Sequence, residues 1–319
     1  MERRVYRPLN CCSLLAIGLF TLIASGCSSL PLQSQRLDDI EAAQHATELE
    51  SVPFFPQEKY QCGPAALATV LTHSGISVTP EELRDQVYIP EREGSLQVEI
   101  LSTIRRHGRV PYLLTPRIDA LLKELRAEHP VLVLQNLALD WYPRWHYAVV
   151  VGYEPHDRNV VLRSGTRKRH VIPIELFERT WRRGEYWAVL ALDPGELPAT
   201  AEEQRYLEAV VPLERSKRWE AARPSHEAAL ALWPDNLVAL MGVGNSRYAL
   251  GDAAGSLAAF RHTILKHHRA AAAHNNLAYL LLEQGKLEEA LRHAQRAVDL
   301  AGSENPEYAK TLAEIEARW

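Results

Sequence analysis

The chain is poor in cysteine, and what it has is unevenly placed. Of its four cysteines, Cys11, Cys12 and Cys27 lie in or at the end of the N-terminal segment, which leaves Cys62 alone in everything that follows. A solitary thiol has no partner within the chain, so a disulfide-stapled scaffold is excluded for the body of the protein. A surplus of positive charge is also missing. Lys and Arg number 36 against 40 Asp and Glu, and no basic stripe is interleaved with aromatics, so no nucleic-acid partner is expected. His267, His268 and His293 are not at metal-ligand spacing and read as surface residues, and no metal or other cofactor is expected. Long apolar runs are lacking too: the stretch 13–24 is short for crossing a bilayer.

What is present centres on Cys62. It stands in Gln57-Glu58-Lys59-Tyr60-Gln61-Cys62-Gly63-Pro64-Ala65, directly before the apolar helical run 66–71. Far downstream, His146-Tyr147-Ala148-Val149-Val150-Val151-Gly152-Tyr153 opens a strand. A thiol attacks as its thiolate, and a helix N-terminus, with outward N–H groups and the positive end of the dipole, lowers a thiol pKa. Pro64 suits a first helical turn, where its missing N–H costs nothing. Gly63 lets the chain turn tightly and leaves room for a substrate backbone. Gln57 can offer a side-chain N–H to a developing oxyanion. His146 is the residue type to form an ion pair with Cys62 and to protonate a leaving amine. Taken singly, Cys62 reads as a small core residue and His146 as a structural histidine. Their conjunction with Gln57 points to a nucleophile and its base. The aromatic loop 139–145 abuts the histidine, so Trp141 and Trp145 either wall a substrate groove or fold into the local core.

These residues resemble the papain-like cysteine peptidases of the bacteriocin-processing (double-glycine leader) family, in the stand-alone lipoprotein type with tetratricopeptide repeats. The resemblance runs over roughly residues 50–193 and includes Gly94-Ser95-Leu96 opening a helix and 130–134 as the strand before the histidine. It implies Cys62 as nucleophile, His146 as base, Gln57 in the oxyanion hole, and cleavage after Gly-Gly. Two positions depart from the family. Gln61 replaces an acidic residue before the nucleophile, and Ser164 falls where the acidic third member is expected. A serine can accept a hydrogen bond from the imidazole but gives an imidazolium no charge. Asp157 sits in the turn 155–159, at the wrong end of the strand.

The N-terminus has a basic segment (1–7), the apolar stretch 13–24 and Ser25-Gly26 before Cys27, a secretory signal pattern. Its ending resembles the bacterial lipobox, which implies residues 1–26 as a signal peptide and lipidation of Cys27. Ser28 then implies the outer membrane, with the protein facing the periplasm. Residues 27–50 read as a lipidated tether. In 51–193, helices come first: 64–73, one behind the Thr79–Glu82 capping box, and one capped by Ser95 and reaching His107. Strands follow at 110–114, 131–135, 146–154, 159–163, 169–173 and 185–192, with a short helix at 175–181. This is α+β, the papain-like arrangement. Residues 194–202 form a linker. From 203 to 304 the chain repeats every 34 residues: Gly251 and Gly285 mark turns, and Ala222, Ser256 and Ala290 share a phase, as do Ala229, Thr263 and Ala297. This resembles an all-α tetratricopeptide-repeat superhelix with a capping helix at 306–319. Its first unit is degenerate, with Lys217 at the turn-glycine position and Pro224 inside the second helix.

The expected function is a membrane-anchored cysteine peptidase that cleaves a peptide or protein substrate through a Cys62 thioester. The repeats would recruit substrate or a protein partner. The alternatives are a silent, peptide-binding pseudo-peptidase marked by Ser164, and an acyl transferase whose thioester is intercepted by an amine.

Overall fold

The computed structural model describes residues 31–57, 61–92, 94–302 and 305–318. The signal pattern and Cys27 lie outside the described residues. The first domain contains helices α1 (Cys62–His73), α2 (Pro80–Val87), α3 (Gln97–Arg106), α4 (Ile118–Arg126) and α5 (Ile174–Arg183). Its main sheet has the order β4 (Val110–Leu113), β9 (Ala188–Leu192), β5 (Val131–Asn136), β6 (Trp145–Glu154), β7 (Asn159–Ser164), β8 (Arg167–Pro173), with β1 (Thr47–Glu48) added to β6. A separate ribbon joins β2 (Tyr88–Ile89) to β3 (Gly94–Ser95). The helices-then-sheet order is the α+β arrangement that the sequence indicates.

Local chemistry explains the elements. α1 is apolar almost all round and buried from Gly63 to Leu71, so it forms the centre of the domain, as an all-apolar helix must. β5 reads Val-Leu-Val-Leu-Gln-Asn and is buried at every position, so it runs mid-sheet with α5 on one face. α2 carries the capping box in full: Thr79 Oγ1 accepts from Glu82 N–H, and the Glu82 carboxylate accepts from Thr79 N–H at 2.8 Å. α4 was not among the expected elements. Its buried Ile118, Leu121, Leu122 and Leu125 follow a helical i, i+3, i+4, i+7 stripe.

Three expectations are corrected. Ser95 does not cap a helix. It lies in β3, and α3 starts after Leu96 with no side-chain cap. Residues 33–50 are not a tether. Leu37, Ala42 and Ala43 are buried in the core, short 3₁₀ turns span Gln33–Asp39 and Glu41–Gln44, and β1 extends the sheet. The segment supplies enough apolar area to dock, and Glu178 accepts hydrogen bonds from the backbone N–H groups of Gln33 and Ser34, both at 2.7 Å. Finally, 194–202 is no free linker. The fully buried Glu124 carboxylate accepts from the Thr200 N–H (2.7 Å), the Thr200 hydroxyl (2.5 Å) and the Ala199 N–H (3.1 Å). His129 bridges Glu124 and Glu196 at 2.7 and 3.0 Å.

The C-terminal part is a run of helix pairs: α6 (Glu203–Arg215) with α7 (Trp219–Leu232), α8 (Leu237–Ala249) with α9 (Ala253–Lys266), and α10 (Ala271–Glu283) with α11 (Leu287–Ala301), closed by α12 (Pro306–Glu316). The small residues in phase, Ala222, Ser256 and Ala290, are each fully buried where helices approach closely. Lys217, Gly251 and Gly285 all have positive φ (56°, 83° and 71°), so the degenerate unit keeps the turn and strains a lysine to do so. Tyr206, Val210 and Leu213 of α6 belong to the same apolar cluster as the sheet, which joins the first repeat to the first domain. His293 is not simply a surface residue: its Nδ1 lies 2.9 Å from Nδ1 of His274.

Candidate active site

The site forms where β6 begins and β7 ends. Antiparallel pairing sets His146 opposite Gln135 of β5 and brings the Ser164 end of β7 to the same edge. α1 supplies Cys62 as its first residue. His146 Nε2 and Ser164 Oγ are 2.8 Å apart. That contact leaves Nδ1 as the imidazole nitrogen free to exchange a proton with a thiol. Asp157 sits in the turn at the far end of these strands, bonded to the exposed His156, and takes no part.

Gln57 is fixed from both sides of the site. Its carbonyl accepts from the Gly165 N–H at 3.0 Å, its amide donates to the Tyr147 carbonyl at 3.3 Å, and its own N–H donates to the Gly165 carbonyl at 2.9 Å. One amide N–H therefore remains to be offered elsewhere. Gln57, Cys62, His146 and Ser164 converge around the first residues of β6.

The resting electrostatics differ from the expected ion pair. Burial pushes the Cys62 thiol up. The backbone N–H groups of Tyr147, Gly63 and Cys62 itself pull it down without offsetting that burial. Burial, aided by the charges of Arg144 and His170, holds His146 down to about 4. Both groups are therefore neutral at pH 7. Among the described residues no carboxylate faces the imidazole to reverse this, because Ser164 stands at the third position.

Gly63 has a different role from the expected one. A Cβ there would sit 2.2 Å from Ser95 Oγ, so the space that glycine leaves is filled by Ser95 and not by a substrate backbone. Ser95 also accepts, through its carbonyl, from the Tyr147 hydroxyl at 3.2 Å. Trp141 and Trp145 are exposed beside the site and do not fold into the core. Sequence reasoning missed Tyr147, Gly165 and Ser95. Gly165, with φ +58°, had a usable signal as the turn glycine after Ser164. Tyr147 acts through its carbonyl and its hydroxyl, and Ser95 through its carbonyl and its packing against Gly63.

A half-buried thiol at a helix start, an imidazole at a strand edge and a clamped glutamine thus share one corner of an α+β core. Residues 49–189 match the Peptidase_C39 like family, and 271–303 match a tetratricopeptide repeat. The chain thus joins a C39-like peptidase domain to tetratricopeptide repeats. Among curated proteins it is similar to an uncharacterized protein of Methanothermobacter thermautotrophicus, 28% identical over 130 residues, or 41% of this chain and 82% of that one. Among solved structures it is similar to a Bacillus anthracis protein named as a C39-like peptidase (18% identity, 46% of this chain and 98% of that one, TM-score 0.40). It is also similar to the Yersinia enterocolitica type III secretion translocator chaperone SycD (17% identity, 36% and 83%, TM-score 0.34).

Proposed function

We propose that this chain is a cysteine peptidase, anchored through lipidated Cys27 at the periplasmic face of the outer membrane. The observation that carries the catalytic reading is the convergence of Cys62, His146 held by Ser164 at 2.8 Å, and Gln57 clamped between Tyr147 and Gly165. The thiol and imidazole rest neutral, so the proton moves as substrate is attacked. Cys62 Sγ bonds to the scissile carbonyl carbon while its proton passes to His146 Nδ1. The carbonyl oxygen takes the negative charge and is met by the remaining Gln57 N–H and first-turn backbone N–H groups of α1. His146 then gives that proton to the leaving amine, leaving a thioester on Cys62. Water, deprotonated by His146, adds to the thioester; the C–S bond breaks, the acid leaves, and His146 returns the proton to the Cys62 sulfur. Cleavage after Gly-Gly is the family's habit and is part of the proposal, as is recruitment of substrate or a partner by the repeats.

The depressed His146 pKa and the uncharged Ser164 favour a second reading, a peptide-binding module that does not cut. A glycyl-glycyl nitrile probe separates the two. A thioimidate adduct on Cys62, found by mass spectrometry and lost in Cys62→Ala and His146→Ala, supports the peptidase. Reversible binding of the probe with no adduct between pH 6 and 10 makes the chain a binding module.

A further inference from the structure

Loop 137–145 is rich in apolar and aromatic side chains, faces outward and is tied down by hydrogen bonds. Trp141, Tyr142, Leu139 and Trp145 are 81, 72, 56 and 53% exposed, too open for the walls of a packed groove. The loop is nevertheless well built. The buried Asn136 side chain accepts from the N–H groups of Ala138 (3.0 Å) and Arg144 (2.9 Å) and donates to the Leu139 carbonyl (3.3 Å). Leu137 N–H donates to the Arg144 carbonyl and Tyr142 N–H to that of Leu139. Arg183, at the end of α5, donates twice to the Asn136 carbonyl. A pinned hairpin that holds indole and phenol rings in the solvent is preorganised for an apolar surface that also accepts their N–H and O–H groups. The headgroup layer of a bilayer is such a surface.

The number of residues between Cys27 and the packed segment says which surface is within reach. Residues 33–50 are packed on the domain, so only residues 28–31 separate Cys27 from buried Leu32. Fully extended, that connection spans at most about 18 Å. The attachment point and the loop hang from the same helix. Gln33 and Ser34 bind Glu178 of α5, and Arg183, which holds the loop, is about 7.5 Å further along its axis. A lipid on Cys27 would therefore hold this end of the domain, with its aromatic tip, at the membrane.

We propose that loop 137–145 is a membrane-docking element that inserts Leu139, Trp141, Tyr142 and Trp145 into the headgroup region and sets the active site against the bilayer; this rests on the lipid-anchor reading above. His146 directly follows Trp145, so the peptide bonds presented to Cys62 are those held close to the membrane surface. Asp140 and Arg144, both exposed, balance in charge, so insertion depends on apolar burial and not on anionic lipid.

The test uses the full mature protein with its anchor, reconstituted into phosphatidylcholine vesicles with brominated acyl chains, which quench indoles at the bilayer. The emission lost on replacing Trp141 by Phe, and separately Trp145 by Phe, is the expected quenchable fraction, and quenching persists at high salt. Mass spectrometry of the N-terminal peptide reads Cys27 acylation separately. An acylated chain whose Trp141 is not quenched overturns the docking loop and leaves the anchor standing; an unacylated chain overturns both. Trp141→Ser raising KM for a soluble peptide, with no lipid quenching, makes the loop a substrate wall and also overturns the proposal.

Discussion

Replacing Ser164 with aspartate puts a carboxylate where a hydroxyl now meets the imidazole. In the native site the thiol lies above its ordinary 9.0 and His146 near 4. Moving the proton from Cys62 to His146 is then uphill by about 7 kcal/mol before the attraction between the thiolate and imidazolium it creates is counted. With Oγ and Nε2 at 2.8 Å, a carboxylate at position 164 would centre its charge about 4 Å from the imidazolium, worth at most about 4 kcal/mol at an effective dielectric of 20. Ser164 is buried, so part of that is spent desolvating the new charge. A net rise of about 1–3 in the His146 pKa remains, which brings it to about 5–7. The assay is the iodoacetamide alkylation rate of Cys62 from pH 5 to 10 in wild type, Ser164→Asp, His146→Ala and the double variant. Wild type should react slowly at pH 7 and rise only on the alkaline side. Ser164→Asp should react on the order of 10- to 100-fold faster at pH 7. Equal rates for wild type and Ser164→Asp, or acceleration that survives His146→Ala, would refute the reasoning.

Lys217→Gly relieves the left-handed φ of 56° and should stabilise the chain by about 1 kcal/mol, read as a higher urea midpoint with an unchanged slope. Gly63→Ala forces its Cβ onto Ser95 and should cost about 1–3 kcal/mol in the same unfolding assay while displacing Cys62 and slowing probe adduct formation. Glu124→Gln turns an amide N–H toward groups that all donate, and should cost about 3 kcal/mol or more, with His129 falling from about 9 in an NMR titration. Two histidines should shape stability against pH. His129, raised to about 9 by its two carboxylates, contributes stability that is full below pH 6.5 and lost as pH climbs to about 9. His146, lowered to about 4 by burial, contributes stability that is full above pH 6.5 and lost toward pH 4, so the unfolding free energy should peak near pH 6.5. Burial of His107, His170, His274 and His293 adds to the acid limb, so His146→Asn should flatten it only in part.

The sequence by itself determined the features written in neighbouring residues or in fixed periods. The apolar run after Cys62, the Thr79–Glu82 capping box, the strand runs around His146 and the 34-residue period of Gly251 and Gly285 each encode local geometry that tertiary contacts had only to accept. α4 was equally legible in its apolar stripe. Only the fold could decide what depends on distant chain segments. The Ser95 hydroxyl fills the gap at Gly63, Glu124 binds residues 199–200 across the domain junction, and residues 33–50 dock because the apolar patch that receives them is assembled from elements far along the chain. The charge state of the site belongs to the same class. A helix start argues for a lowered thiol pKa, but the burial that raises Cys62 and depresses His146 exists only once the sheet, α1 and the loop have closed around them.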